Sequence, residues 1–251
     1  DADTATAFAS QGYYYCVIDN GALTQSEAAY LRVNHLIAHY AFDGNAIDSS
    51  IQGNDGFWPK PALESYNTSD PVIGSGSVVF AGTDPNSYID IGTAAAPNPQ
   101  LAQNYGQGSI SFWFNTTSAD SMVVFGTAND GVTSNVSVTV NNGALALYLR
   151  SEAGVGGGVL NIQTADNSDL VDGQWHHVAL AWEDGAADEA NVYIDAVLVP
   201  LTTNVVSSPV LGDWQYPMLV GARNNRGTID SYFVGELDEL KIFNYRLTEL
   251  E

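Results

Sequence analysis

The densest chemistry in this chain is the run Glu236-Leu237-Asp238-Glu239-Leu240-Lys241, three carboxylates and an ammonium within six residues. Paired carboxylates can cleave glycosidic bonds, one as nucleophile or base and one as acid. They are also hard oxygen ligands suited to calcium. The four histidines, His35, His39, His176 and His177, lack the spacing of a zinc site. No Ser-His-Asp arrangement is identifiable. Tyr148, Arg150 and His177 supply the residue types of a uronate lyase, a base beside a cation, but no lyase motif surrounds them. The glycines from Gly154 to Gly158 lack a strand before and a helix after, so they read as a loop and not as a phosphate cradle.

Charge narrows the partners. Against 29 acidic residues stand only seven basic ones, a formal net charge of −22. Phosphate binding needs clustered Lys and Arg, so nucleic acid is excluded as a partner, and anionic membrane surfaces are disfavoured for the same reason. The acidity has two compatible readings: a solvated surface suited to salty or calcium-rich surroundings, or carboxylates of which a few bind calcium. No apolar run is long enough to span a bilayer, so no membrane insertion is expected. Cys16 is the only cysteine, which leaves no internal disulfide framework. Opening at Asp1 without a methionine or apolar leader fits a processed or excised chain.

The elements that must position these groups are short strands. From Leu36 onward, apolar and polar residues alternate with period two between Gly, Asn, Asp and Pro clusters, the pattern of sandwiches and barrels. Strands are predicted at 36–42, 77–80, 88–91, 109–114, 122–127, 136–140, 144–149, 175–183, 191–194, 218–221 and 235–243. In them Ile110, Phe112 and Phe114 share one face, as do Val136, Val138 and Val140, Leu145, Leu147 and Leu149, and Val178, Leu180 and Trp182. A buried face against a more polar one is what two packed sheets require. On the opposite phase stand Trp113, Ser137, Thr139, Tyr148, Arg150, His177, Ala179, Ala181 and Tyr193. Rings mixed with hydroxyls and a guanidinium suit a sugar platform, with Trp113, Tyr148, Arg150 and Tyr193 as its candidates; the alternative is that these rings pack under a covering loop or under the N-terminal segment. Residues 1–34 read differently, as an extension or linker. There Thr24-Gln25-Ser26-Glu27 matches a capping box and predicts a short helix over 24–33. Residues 35–251 read as one domain.

Three stretches carry a resemblance: LIAHYAFDGNAIDSS from Leu36, DGQWHHVALAW from Asp172, and GELDELKIFNYRL from Gly235. With SISFWF from Ser109 between them, in this order and spacing, residues 36–251 resemble the bacterial laminin-G-like jelly-roll domains of the concanavalin A-like superfamily. The resemblance implies an all-β, two-sheet antiparallel jelly-roll sandwich. It also implies a structural calcium where the first and last strands meet, held by Asp43 and Asp238, with Asp48 as a further candidate and Asn54 offering an amide oxygen. The alternative is solvated turn aspartates, since Asp43-Gly44-Asn45 is a good turn former. Related glucanases carry their catalytic acids as E-x-D-x-x-E on one strand; here the third acid is replaced by Lys241.

The expectation is therefore a non-catalytic recognition module, secreted or at the cell surface, that contains calcium and binds a glycan or cell-surface polysaccharide as part of a larger multidomain protein. A structural or adhesive domain of a pilus-associated or large surface protein is the first alternative. A glycan lyase or hydrolase of unfamiliar type is the second.

Overall fold

The computed structural model describes residues 12–14, 17–19, 23–25, 29–31, 35–92, 101, 106–127, 135–150, 159–183, 190–206 and 217–249. The chain divides into two units, residues 1–35 and 36–251. In the first lie four three-residue strands, β1 (Gly12–Tyr14), β2 (Val17–Asp19), β3 (Leu23–Gln25) and β4 (Ala29–Leu31). They pair antiparallel as β1 with β4 and β2 with β3. The helix expected over 24–33 is thus corrected to strand at 23–25 and 29–31. The good helix formers after the capping box, Ala28, Ala29, Leu31 and Arg32, are too few to sustain an isolated helix, and the pairing of β1 with β4 and of β2 with β3 takes these positions into strands.

The second unit runs β5 (Leu36–Tyr40), β6 (Tyr66–Asn67), β7 (Ser77–Phe80), β8 (Ile89–Gly92), β9 (Gln107–Asn115), β10 (Ser121–Thr127) and β11 (Asn135–Asn141). It continues through β12 (Ala144–Arg150), β13 (Val159–Thr164), β14 (His176–Glu183), β15 (Ala190–Ile194), β16 (Val197–Leu198) and β17 (Leu201–Val206). β18 (Met218–Val220), β19 (Arg223–Asn225), β20 (Thr228–Asp230) and β21 (Gly235–Phe243) complete it. A seven-stranded sheet has the order β17-β13-β12-β11-β10-β18-β8, and an eight-stranded sheet the order β16-β15-β14-β9-β21-β7-β6 with β5 also on β21. Every pairing between these strands is antiparallel. The expected two-sheet sandwich is present, and the eleven predicted strands are all there.

The core lies between the sheets. Ile110, Phe112, Phe114, Val136, Val138, Val140, Leu145, Leu147, Leu149, Val178, Leu180 and Trp182 are all at most 1% exposed. Each such side chain contributes about 1.5–3 kcal/mol over an exposed one. A one-residue slip would turn a whole strand's set to the outside at once, so the alternation fixes the register.

β21 is the irregular member. It pairs with β9 along one edge, while its other edge is shared end to end by β7, opposite Gly235–Leu237, and β5, opposite Leu240–Phe243. A bulge between Asp238 and Lys241 separates the two partners, with Glu239 in the left-handed region at φ 52°. The bulge lets Leu237 and Leu240 both enter the core and leaves Asp238 and Glu239 on the outer side.

Trp182 fills the core, whereas Trp113, on the opposite phase of its strand, is half-buried. Trp182→Ala is expected to cost about 3–5 kcal/mol in urea unfolding through the cavity it leaves. Trp113→Ala should cost clearly less, and equal losses would contradict the packing described.

Candidate functional site

The three carboxylates of the terminal strand prove to be ties. Glu236 accepts from Ser77 Oγ at 2.6 Å and from Asn67 Nδ2 at 3.1 Å, fastening β6 and β7. Glu239 faces His39 Nε2 at 2.9 Å and Lys241 Nζ at 2.6 Å, fastening β5 and offsetting the strain of its backbone. Between them Asp238, 0% exposed, accepts through Oδ2 from the backbone N–H groups of Val72 at 3.0 Å and Ile73 at 3.2 Å. Its Oδ1 is buried and has no hydrogen-bonding partner among the described residues. Burial, reinforced by the neighbouring charge of Glu239, pushes the Asp238 carboxyl up to about 6 against the backbone N–H groups of Ile73, Val72 and Glu239.

Asp43 holds the other side of the same loop. Its carboxylate accepts from the backbone N–H and hydroxyl of Ser75 and from Gly76 N–H at 3.0 Å, and the Ser75 N–H above all holds it below the usual carboxylate range. Gly74 makes the approach feasible: it sits at φ +71°, and a methyl group there would collide with the Asp43 carboxylate. Asp43 and Asp238 thus grip residues 72–76 from both ends, across the gap where β5 and β7 part.

Asp48 does different work. Its Oδ1 accepts from His39 N–H and Ser50 N–H, each at 2.8 Å, and its Oδ2 from Ser50 Oγ and Asn54 N–H, again each at 2.8 Å. Both oxygens are saturated by its own loop, which removes it from the expected ligand set. Asn54 is likewise engaged, donating from Nδ2 to Ile37 O at 2.7 Å. Among the described residues no group of three or more His, Cys, Asp or Glu converges as a metal cluster. Of the expected carboxylates, Asp238 keeps an oxygen without a partner among the described residues, and carboxylate oxygen is the donor type that calcium selects.

The four ring and guanidinium candidates separate into two pairs. Trp113 and Tyr193 stand on the outer face of the eight-stranded sheet, Tyr148 and Arg150 on that of the seven-stranded sheet. Two faces on opposite sides of a sandwich cannot make one platform. Trp113 packs on His177 with centroids 5.0 Å apart, and burial holds that imidazole below its usual range. Its cross-strand partners are His177 and the buried Asp238. Nearby Trp175 donates to Asp70 O at 3.0 Å, and His176 Nδ1 meets Asp195 Oδ2 at 2.8 Å; both orient loops. Tyr193 shares a row with Ala179 and Ser111.

The seven-stranded face is built differently. Gly126, Ser137, Tyr148 and Asn161 are successive Cα partners across β10, β11, β12 and β13, a row about 14 Å long at the usual strand spacing. A parallel row carries Thr139, Ala146, Gln163 and Thr203, and Arg150 lies opposite Asn135. Ser137, Tyr148, Arg150, Asn161 and Gln163 are half-buried. Short side chains around one ring leave room for a sugar-sized body against it. Ser137 Oγ and Asn135 Oδ1 are buried and without a partner among the described residues, so this face holds hydrogen-bonding capacity that those residues do not use. Asn161 and Gln163 escaped the sequence reading because β13 follows the Gly154–Gly158 stretch; the alternation Leu160, Asn161, Ile162, Gln163 was the signal.

Comparison with known proteins gives a concordant picture. The family model Laminin_G_3, concanavalin A-like lectin/glucanases superfamily, matches residues 82–251. No curated protein matches the sequence. Domain 4 of AbnA, a GH43 extracellular arabinanase from Geobacillus stearothermophilus solved with arabinotriose, superposes with a TM-score of 0.57 at 22% identity, over 86% of this chain and 96% of that one. The CBM40 of the Ruminococcus gnavus IT-sialidase gives 0.51 at 16% identity, over 68% and 91%. The binding domain of Botulinum neurotoxin DC, solved with rat synaptotagmin II, gives 0.61 at 10% identity; this chain spans 49% of its length. Such identities speak to the fold. The family match covers more than half of the chain and falls on a two-sheet antiparallel sandwich, and the chain is accordingly a member of the concanavalin A-like lectin/glucanase superfamily.

Proposed function

We propose that this chain is a non-catalytic carbohydrate-binding module that works secreted or at the cell surface, as one part of a larger protein, and that it docks its glycan on the outer face of the seven-stranded sheet. The observation that carries the reading is Tyr148, set between Ser137 and Asn161 on its row and beside Arg150 on its strand, with two buried oxygens nearby that lack partners among the described residues. A ring for the apolar face of a pyranose and planar or hydroxyl groups for its edges are what sugar recognition needs. The solved relatives support it, since AbnA domain 4 was solved with arabinotriose and the CBM40 with sialyllactose. Against a hydrolase stands the employment of Glu236 and Asp238 as ties within the sheet.

The proposal includes calcium, with Asp238 Oδ1 and Asp43 as its side-chain ligands. A bound cation would neutralise a carboxylate that burial otherwise penalises, and would bind the 72–76 loop to the terminal strand.

The acid–base behaviour of Asp238 tests this part. With a folded-state value near 6 against an ordinary 3.8, the folded chain holds this proton more tightly than the unfolded chain. The stability it contributes is therefore complete below the unfolded value and is lost as pH rises through about 6. In chelator, the melting temperature of the wild type should fall more steeply from pH 5 to 7.5 than that of Asp238→Asn. Calcium should raise the wild-type melting temperature by several degrees at pH 7.5 and much less at pH 5. An Asp238→Asn variant as responsive to calcium as the wild type would remove Asp238 from the ligand set.

For the sugar face, an immobilised-glycan array read with calcium present is expected to identify a binder. Tyr148→Ala should weaken it about tenfold or more, in line with about 1.5–3 kcal/mol of buried ring surface, without changing the melting temperature appreciably. Trp113→Ala, on the opposite face, should bind as the wild type does. The reverse result would move the site to the eight-stranded sheet, and silence across the array would overturn the module reading.

A further inference from the structure

We propose that the face around Tyr148 takes an uncharged glycan and discriminates against acidic forms of the same sugar. This rests on the sugar-face reading and adds the ligand's charge to it. An acidic sugar is held best by a cation free to meet it, and the seven basic residues of the sequence are almost all committed. Arg32 belongs to the first unit. Lys60 pairs with Asp84 at 2.6 Å, Lys241 with Glu239 at 2.6 Å, Arg223 with Asp230 at 2.7 Å and Arg246 with Glu183 at 3.9 Å. Arg150, on β12 itself, already has a partner within the chain. Arg226 is exposed, but it lies in the turn of the separate β19–β20 hairpin. The sequence between β10 and β11, between β12 and β13 and between β17 and β18 adds only the opposite sign. Residues 128–134, 151–158 and 207–217 include Asp130, Glu152 and Asp213 and no lysine or arginine.

What the face offers instead is neutral and works in both directions. Thr139, Tyr148, Asn161 and Gln163 are half-buried hydroxyl, phenol and amide groups on its two rows. Each of these groups both donates and accepts, and so does every hydroxyl of a sugar, whereas a carboxylate only accepts. Asn135 Oδ1, without a partner among the described residues, calls for a donor, which a sugar hydroxyl supplies and a carboxylate cannot. An ionised group brought against this half-buried surface would also lose hydration that no opposite charge returns. The formal net charge of −22 adds repulsion. Screening at physiological salt acts over about 8 Å, so the acids nearest the face set its size.

Titration calorimetry on the whole chain tests the proposal with tetragalacturonate, an aldouronic xylo-oligosaccharide and 3′-sialyllactose, each beside its carboxyl-reduced form. At least one reduced form should bind about tenfold or more tightly than its acid. Raising the salt concentration should narrow that gap by screening the repulsion, and should leave the neutral affinity as it was. Asn161→Lys, which sets a cation beside Tyr148 on its row, should narrow the gap at low salt about threefold or more, with the melting temperature showing that the fold is kept. Equal affinity for acid and reduced sugars, or tighter binding of the acid, overturns the proposal; if Tyr148→Ala then weakens both, the sugar face itself stands. A gap that neither salt nor Asn161→Lys moves also overturns it, because charge would not be its cause. Silence from every sugar in both forms overturns it as well. Whether the glycan array is silent too separates that failure from failure of the sugar face.

Discussion

The structure turns on a fork. One edge of β21 must serve two partners, β7 and then β5, and two strands cannot meet end to end without leaving peptide groups unpaired between them. The bulge at Asp238–Glu239 absorbs the mismatch by turning consecutive carboxylates to the same side. What the backbone cannot pair, the side chains do: Glu236 holds one branch, Glu239 the other, and Asp238 with Asp43 closes the gap through the 72–76 loop. Every acid in the run that first suggested catalysis is spent on this junction. The residual tension is Asp238 itself, a carboxylate with one oxygen satisfied and one buried alone. A proton relieves it, which links the junction to pH, and the proposed calcium would do the same.

Because the junction stabilises the eight-stranded sheet from its outer side, that face is crowded. Ser109, Ser111, Asp238 and Glu239 are buried there although they point away from the core. On β11, β12 and β13 of the seven-stranded sheet the outer residues Ser137, Thr139, Ala146, Tyr148, Arg150, Asn161 and Gln163 remain half-buried, while Asn135 and Ala144 are buried. One sheet's outer face holds the fold, and the other's is the one proposed for the ligand. The division follows from where the strained pairing happens to lie.

Much of this was legible in the sequence, and the limits have a physical form. Period-two alternation locates strands and separates inside from outside, so Trp182 and Trp113 were placed correctly relative to the core. Alternation says nothing about which of two outsides a residue faces. Trp113, Tyr193, Tyr148 and Arg150 therefore looked like one group and are two. Partners distant in sequence were equally invisible: nothing local to Asp43 announces that it grips Ser75 and Gly76, or local to Asp238 that it grips Val72 and Ile73. Asp48 looked like a ligand because its type was right, yet its oxygens accept from donors at most nine residues away. The N-terminal strands were missed where a short capping signal was read without the pairing that takes these positions into strands.

The position of β21 has a consequence for how the sandwich comes into being. It is the last strand in the order of synthesis and it sits in the interior of its sheet, between β9 on one side and β5 with β7 on the other. Until residues 235–243 leave the ribosome, three strands present open edges and nothing joins them. Such edges are templates for pairing with other chains, and closing them requires contacts that span nearly the whole domain, which folds slowly. The eight-stranded sheet is therefore complete only once residues 235–243 are available to pair. A truncation of only the terminal strand would remove the seam of the sheet and not its hem.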